Sequence, residues 1–326
     1  MDVTCETMSQ IATYKPLSIV LLLLLIISFF GIPMLIFLIK KIISNSLYHI
    51  NTRIILITHC IFVIAHLINR ILLHASDLYR FLIIYPNKNS GCDILLNSTN
   101  CLFYRLIFNY GIWFSGTTAP CIIIERFIAT RYPTSYHKDR KIGVILTIVQ
   151  FFGTVGILSM TYFGYVFDAG RYYCMTARPH RDMINSVPLI TVNVLQISSF
   201  LGLFLLKKYN LSLKSSSSGG ELTKRYQIEE TLRSLRTLKL PIKTMFISQM
   251  IFTTITFYYQ RYASEINQEF FFAFSEAIVL LPEYSIIFVF TFVKIENRIN
   301  IDGITSLKQG MDIDPDTYFK QYKNHW

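Results

Sequence analysis

The chain has 326 residues, of which 52% are hydrophobic and only 16% charged, with a formal net charge of +11. Soluble domains carry about a quarter charged residues, so an enzyme with a polar surface and a disordered chain are both excluded. The length and the long apolar runs exclude a disulfide-stapled miniprotein. Crossing a bilayer takes about 20 residues at 1.5 Å per residue, and seven stretches of the sequence are long enough. The class expected is all-α and integral to the membrane: a seven-transmembrane helix bundle that takes up nearly the whole chain.

In chain order the spans are predicted at 17–39, 54–73, 102–130, 142–165, 184–206, 242–259 and 270–293. The first runs uncharged from Ile19 to Ile27, and Lys40 and Lys41 follow rather than precede it, unlike a cleaved leader. It is expected to be an uncleaved span behind an extracellular amino terminus, 1–16. Lysine and arginine set the orientation. The connections on the Lys40 side hold 22 of them and the opposite side seven. This bias predicts an exterior amino terminus and a cytoplasmic tail, 294–326. It also accounts for the net charge, with the anionic inner leaflet as the partner and no need of nucleic acid.

Four cysteines, Cys5, Cys92, Cys101 and Cys174, fall on the predicted exterior side, where oxidation is permitted. They allow three pairings. The first expectation is Cys101–Cys174, tying the third span to the second exterior loop, and the second is Cys5–Cys92. Cys60 and Cys121 lie within spans as small apolar residues. Asn97-Ser98-Thr99 is a glycosylation acceptor on the same exterior side.

At the cytoplasmic end of the third span stands Glu125-Arg126. An acid–arginine pair here is the signature position of rhodopsin-like receptors. The carboxylate can hold the arginine while the bundle is closed, and opening can release it to a partner helix. The bland alternative is an interfacial ion pair with a snorkelling arginine. Cys101 lies 25 residues before Arg126, the separation such receptors show. In the third interior loop, Ser218 and Glu221 are spaced as a capping box. Leu222, Ile228, Leu232 and Leu235 then form an apolar stripe beside Arg225, Arg233, Arg236, Lys239 and Lys243. This predicts a basic cytoplasmic helix, bent or ended at Pro241, that suits a G protein or an anionic lipid surface.

Ionisable residues inside spans are costly and must face inward. His59, His66, Arg70 and His74 fall within about 80° of one face of a helix. Glu276 and Glu283 are seven apart on the seventh span. Crude depth matching predicts the interhelical pairs Arg70–Glu276 and His59–Glu283. Candidate pocket residues are Tyr110, Trp113 and Phe114 on the third span and Tyr258 and Tyr259 on the sixth. The histidines are spaced too widely to share a metal ion, and Asp312, Asp314 and Asp316 lack the glycine and final glutamate of a calcium loop. Lys294 lies too near the cytoplasmic end to hold retinal. No cofactor and no catalytic constellation is expected.

The sequence departs from the common rhodopsin-like pattern at the seventh span, which has Leu281-Pro282-Glu283-Tyr284. It resembles instead the nematode serpentine chemoreceptors of the Sra/Srab type. The matching pieces are Asp77-Leu78, Gly91-Cys92-Asp93, Cys101 with Arg105, and Glu125-Arg126-Phe127-Ile128-Ala129-Thr130 with Tyr136. Leu222-Thr223-Lys224-Arg225-Tyr226-Gln227 with Glu229 adds a further piece. The resemblance implies a G-protein-coupled chemoreceptor of sensory neurons, delivered to cilia, that binds a small chemical and activates a heterotrimeric G protein. It implies Glu125 and Arg126 as the coupling switch and Cys101–Cys174 as the exterior disulfide, while the basic third interior loop, on its own chemistry, offers Arg225, Tyr226, Arg233 and Arg236 as coupling residues. The alternatives are an odorant-gated channel of inverted topology, which the charge bias and Asn97 oppose, and a small-solute transporter, for which internal repeats are lacking.

Overall fold

A computed structural model of the chain describes residues 3–44, 48–88, 90–96, 98–132, 136, 140–163, 173–174, 182–216, 222–262 and 265–311. The α-helices are α1 (Val3–Thr13), α2 (Lys15–Ser44), α3 (Ile50–Tyr79), α4 (Tyr85–Lys88) and α5 (Ser98–Arg131). They continue with α6 (Lys141–Tyr162), α7 (Asp182–Ser216), α8 (Leu222–Arg261), α9 (Gln268–Ala277) and α10 (Leu281–Met311). Asn97 and the tail from 312 lie outside the described residues.

The long helices bury one stripe each and leave large apolar side chains exposed, the inverse of a soluble bundle. In α2 the buried positions, Leu17, Leu21, Leu24, Ser28, Gly31, Leu35, Leu38 and Ile42, recur at helical spacing. Ile19, Leu22, Leu23, Phe29 and Phe30 on the other side are exposed, as lipid contact requires. In α3 the buried stripe is polar, with Thr52, His59, His66, Arg70, His74 and Asp77 among its members.

Among the described residues, six helical segments are long and apolar enough to cross a membrane. Helix α8 is not among them. Its first half is a basic amphipathic extension that buries Ile228, Leu232, Leu235 and Leu238 and exposes Arg233, Arg236 and Lys239. Its second half carries Gln249, Thr253 and Thr256 in the expected sixth span. The helix continues through Pro241 rather than ending there, as helices supported by packed neighbours can.

The central helix is α5, which packs on α3, α6, α7 and α8, while α2 and α8 flank α10. Small residues set the close approaches. A Cβ at Gly111 would lie 2.6 Å from His66 Cβ, and one at Gly143 would lie 2.6 Å from both Cα and O of Asn51. The Gly143 amide donates to Asn51 Oδ1 at 3.1 Å in the same contact.

The seventh span is broken. Helix α9 ends at Ala277, Ile278–Leu280 form a tight turn, and α10 begins at Leu281. Pro282 suits the first turn of α10, where its missing N–H is no loss. The expectation that Glu276 and Glu283 share one face of a continuous helix is therefore overturned, because the turn between them resets the helical phase.

Backbone atoms cannot yield to a new side chain as a flexible rotamer can, so Gly143→Leu should destabilise the bundle by about 2 kcal/mol or more. Gly153→Ala, which meets nothing within 4 Å, should be neutral or slightly stabilising. Thermal unfolding of the purified protein in detergent compares the two.

Candidate functional site

Two buried polar clusters sit at opposite ends of the bundle. At one end Arg126 is 2% exposed and Glu125 wholly buried. The Arg126 guanidinium grips its neighbour with Nε on Glu125 Oε2 and Nη2 on Oε1, both at 2.5 Å. It also donates to Thr52 Oγ1 of α3 at 2.6 Å, to Tyr136 Oη at 2.9 Å, and through Nη1 to Ser234 Oγ of α8 at 3.0 Å. Thr52 and Tyr136 donate in turn to Glu125 Oε1. Burial raises the Tyr136 phenol above its ordinary pKa, and the Glu125 carboxylate adds to the rise, so it remains a donor. One arginine thus joins α3, α5, α8 and the chain after α5. The tie to α8 is one hydrogen bond from the charged guanidinium to a neutral hydroxyl, weaker than the grip on the Glu125 carboxylate.

Of the other residues expected here, Arg233 and Arg236 project from the exposed face of α8. Arg225 and Tyr226 lie on the same helix, but their side chains fall outside the described residues. Thr52, Tyr136 and Ser234 carry no role from sequence reasoning. Tyr136 alone left a trace, as one of the family-like positions.

At the opposite end two disulfides fix the connections. Cys101 bonds to Cys174 with Cα atoms 5.3 Å apart, and Cys5 to Cys92 at 4.7 Å. The second pins α1 across this end, where Met8, Ile11 and Ala12 pack with Phe271, Phe272 and Tyr173. Beneath it lie Arg70, His74, Arg105 and Glu276, each 4% exposed or less. Arg105 donates to the Glu276 carboxylate and to the Cys174 carbonyl, and Tyr173 donates to Glu276 Oε1 at 3.2 Å.

The expected pairing of Arg70 with Glu276 is present as an ion pair at 3.9 Å, and the hydrogen bonds of Arg70 go to the main-chain carbonyls of Glu276 and Val279, both at 2.9 Å. Arg70 caps the carboxyl end of α9, where orphan carbonyls and the helix dipole favour a cation. Its Nε donates to His74 Nε2 at 3.0 Å. The second arginine that sequence reasoning left unassigned, Arg105, takes the carboxylate. Two intramembrane arginines and one nearby glutamate signalled this competition, but depth alone could not decide it.

The expected His59–Glu283 pair does not form. His59 shares hydrogen bonds with Thr118 Oγ1 at 3.0 Å and Tyr284 Oη at 2.9 Å. The broken seventh span presents Tyr284, not Glu283, to α3. Gln150 donates to the same Thr118 at 2.9 Å, so a polar chain crosses the middle of the bundle.

A cavity of about 90 Å³ lies below the Arg105–Glu276 pair, among α5, α7, α8 and α9. Its walls include Arg105, Trp113, Phe252, Thr256, Tyr259 and Glu276. Trp113 and Tyr259 are the two expected pocket residues that line it. Tyr110 and Phe114 instead stack with Phe62 near α3 and α6, and Tyr258 is 59% exposed on the outer surface. One helical step of 100° separates Tyr258 from Tyr259, enough to move a side chain from the interior to lipid. No metal-ligating cluster occurs among the described residues.

This arrangement, a bundle of membrane helices with a buried acid–arginine lock at one end and a small cavity near the other, is that of a seven-transmembrane receptor. A family model described as "Serpentine type 7TM GPCR receptor class ab chemoreceptor" matches residues 2–326. The chain belongs to this family and is a multi-pass membrane protein. It is 24% identical over 213 residues to serpentine receptor class alpha-10 of Caenorhabditis elegans, covering 65% of this chain and 62% of that protein. With serpentine receptor class alpha-10 of Caenorhabditis briggsae it shares 23% over 216 residues, 65% of this chain and 63% of the relative. The matches thus span slightly less than two thirds of each relative.

Removing one partner of a buried ion pair costs about 3–5 kcal/mol. Arg105→Gln should therefore sharply reduce thermal stability. Arg105→Gln combined with Glu276→Gln should recover a large part of the loss, because no lone carboxylate remains. A double-mutant cycle read by thermal unfolding checks this, and additive losses would refute the coupling.

Proposed function

We propose that this chain is a chemosensory receptor that binds a small chemical from outside the cell and activates a heterotrimeric G protein. The disulfide end and amino terminus face outward, and the Arg126 end with the tail from 294 faces the cytoplasm. The observation that carries this reading is the buried Arg126 lock, which ties α5 to α8 through one hydrogen bond from the charged guanidinium to the Ser234 hydroxyl. The ligand enters at the cavity beneath Arg105 and Glu276, whose mostly apolar walls with a few polar groups suit a compact molecule with one or two polar groups.

The mechanism follows from what each contact can do. The cavity touches α8 through Phe252, Thr256 and Tyr259, the same helix that Arg126 holds through Ser234 some twenty residues away. A ligand that fits the cavity better when α8 has shifted stabilises the unlocked state. Arg126 then turns from Ser234 towards a docking helix of the G protein, which prefers the same state, so each strengthens the other's binding. The exposed Arg233 and Arg236, with Arg225 and Tyr226, supply the basic docking face. Sensory cilia are the site of action.

Two measurements test this. A hydrogen bond from a charged donor contributes about 1.5 kcal/mol or more, roughly a tenfold change in the closed-to-open ratio. Ser234→Ala should accordingly raise ligand-free G-protein activation several-fold in a cell reporter, whereas Arg126→Ala should abolish activation at equal surface expression. Unchanged signalling in both variants would overturn the coupling role. For orientation, a glycosidase-sensitive mobility shift should be present in the wild type and absent in Asn97→Gln. An unmodified Asn97 reachable only from the cytoplasm would reverse the topology.

A further inference from the structure

On the lipid-facing side of the bundle, α5 and α7 part to leave a groove of about 350 Å³. It is lined by Ile123, Ile124, Phe127, Gly202, Leu205, Leu206 and Tyr209, with almost no polar surface. Its floor exists because position 202 has no side chain: a Cβ there would approach Ile123 Cγ2 to 2.9 Å. Leu205 is 68% exposed and Phe127 55%, so the groove opens outward and is separate from the cavity under Arg105. One turn nearer the Arg126 end, Asn210 Nδ2 donates to Thr130 Oγ1 at 3.0 Å and draws the two helices together. The groove is therefore a blind slot, closed at that end and open to the hydrocarbon.

Cations stand at the closed end. Arg131 follows Phe127 by four residues, so it lies on the same face of α5 about 6 Å further along, and it is exposed. Lys208, also exposed, follows Leu205 by three residues in α7 and stands on the flank of the groove. Tyr209 lines the slot at this level, where an interfacial tyrosine keeps its ring in apolar surroundings and its hydroxyl near the headgroups.

The geometry points to a binding site for an anionic phospholipid of the leaflet at the Arg126 end, one acyl chain in the α5–α7 groove and its headgroup at Arg131, with Lys208 on the flank. A slot this apolar cannot satisfy a polar occupant, and left empty it would forfeit the dispersion contacts of its walls. An acyl chain supplies them, and each cation near the surface favours an anionic headgroup. The occupant wedges between two helices beside Phe127, the residue after Arg126. Its presence therefore sets the separation of α5 and α7 next to the lock.

The test is independent of any signalling readout, so it stands or falls separately from the proposed function. The full-length receptor is reconstituted in phosphatidylcholine nanodiscs with a minor fraction of phosphatidylserine. It is then released into detergent and weighed by native mass spectrometry. The wild type should retain one phosphatidylserine in preference to phosphatidylcholine. Gly202→Leu fills the groove from its floor and should lose the bound lipid. Leu205→Trp fills it from the lipid side without disturbing the interior, so it reports even where Gly202→Leu folds poorly. Arg131→Gln should keep an acyl occupant but reduce the preference for phosphatidylserine about fivefold. Wild type without a headgroup preference, or a Leu205→Trp receptor that retains phosphatidylserine as well as the wild type, would overturn the assignment.

Discussion

Three buried guanidinium groups, those of Arg70, Arg105 and Arg126, govern how this bundle is assembled. A cation that lipid cannot solvate must find its acceptors inside the protein, and each of these arginines finds at least one of them beyond its own helix. Arg70 of α3 caps α9. Arg105 of α5 joins the carbonyl of Cys174 to the carboxylate on α9. Arg126 of α5 gathers Thr52 of α3 and Ser234 of α8 around its own glutamate. Helix pairs that apolar packing alone would leave free to slide are held in register by these contacts.

The two ends of the bundle use this device differently. At the disulfide end the network is over-determined: two covalent bridges, an ion pair and a capped helix end converge on a few residues, with α1 packed above them. At the Arg126 end the ion pair stays within α5, between sequence neighbours, and the guanidinium reaches α3 and α8 only through single hydroxyl acceptors. An ion pair within one helix survives a helix movement, while a hydrogen bond across helices does not. The bundle is thus tied more heavily at the disulfide end than at the Arg126 end.

The break in the seventh span connects the two halves. Because α9 stops at Ala277, its last carbonyls become available to Arg70, and Glu276 is left in the plane of Arg105 and Tyr173. Because α10 restarts at Leu281, Tyr284 rather than Glu283 meets His59. A continuous helix would place different side chains in both contacts. Local backbone geometry at three residues therefore fixes the partners of polar groups over about half the depth of the bundle.

Much of this was legible in the sequence, for physical reasons that can be named. A span needs a long apolar run, so the all-helical membrane class followed from composition, and the family-like residues around Glu125 and Arg126 pointed to the family to which the chain belongs. Helical periodicity placed His59, His66, Arg70 and His74 on one inward face, where all four lie. The sixth span is the least apolar of the seven expected, because Lys243, Gln249, Thr253 and Thr256 interrupt it. What periodicity does not contain is the partner across the gap between helices. Whether Arg70 or Arg105 takes Glu276, whether Trp113 or Tyr110 faces the cavity, and where a missing Cβ at Gly202 opens a slot all depend on how helices turn against one another. The sequence by itself determined which faces of which helices had to be hidden from lipid. Only the tertiary structure decided what each hidden group meets, because that depends on helix rotation, tilt and one broken turn, which the sum of many weak contacts sets together.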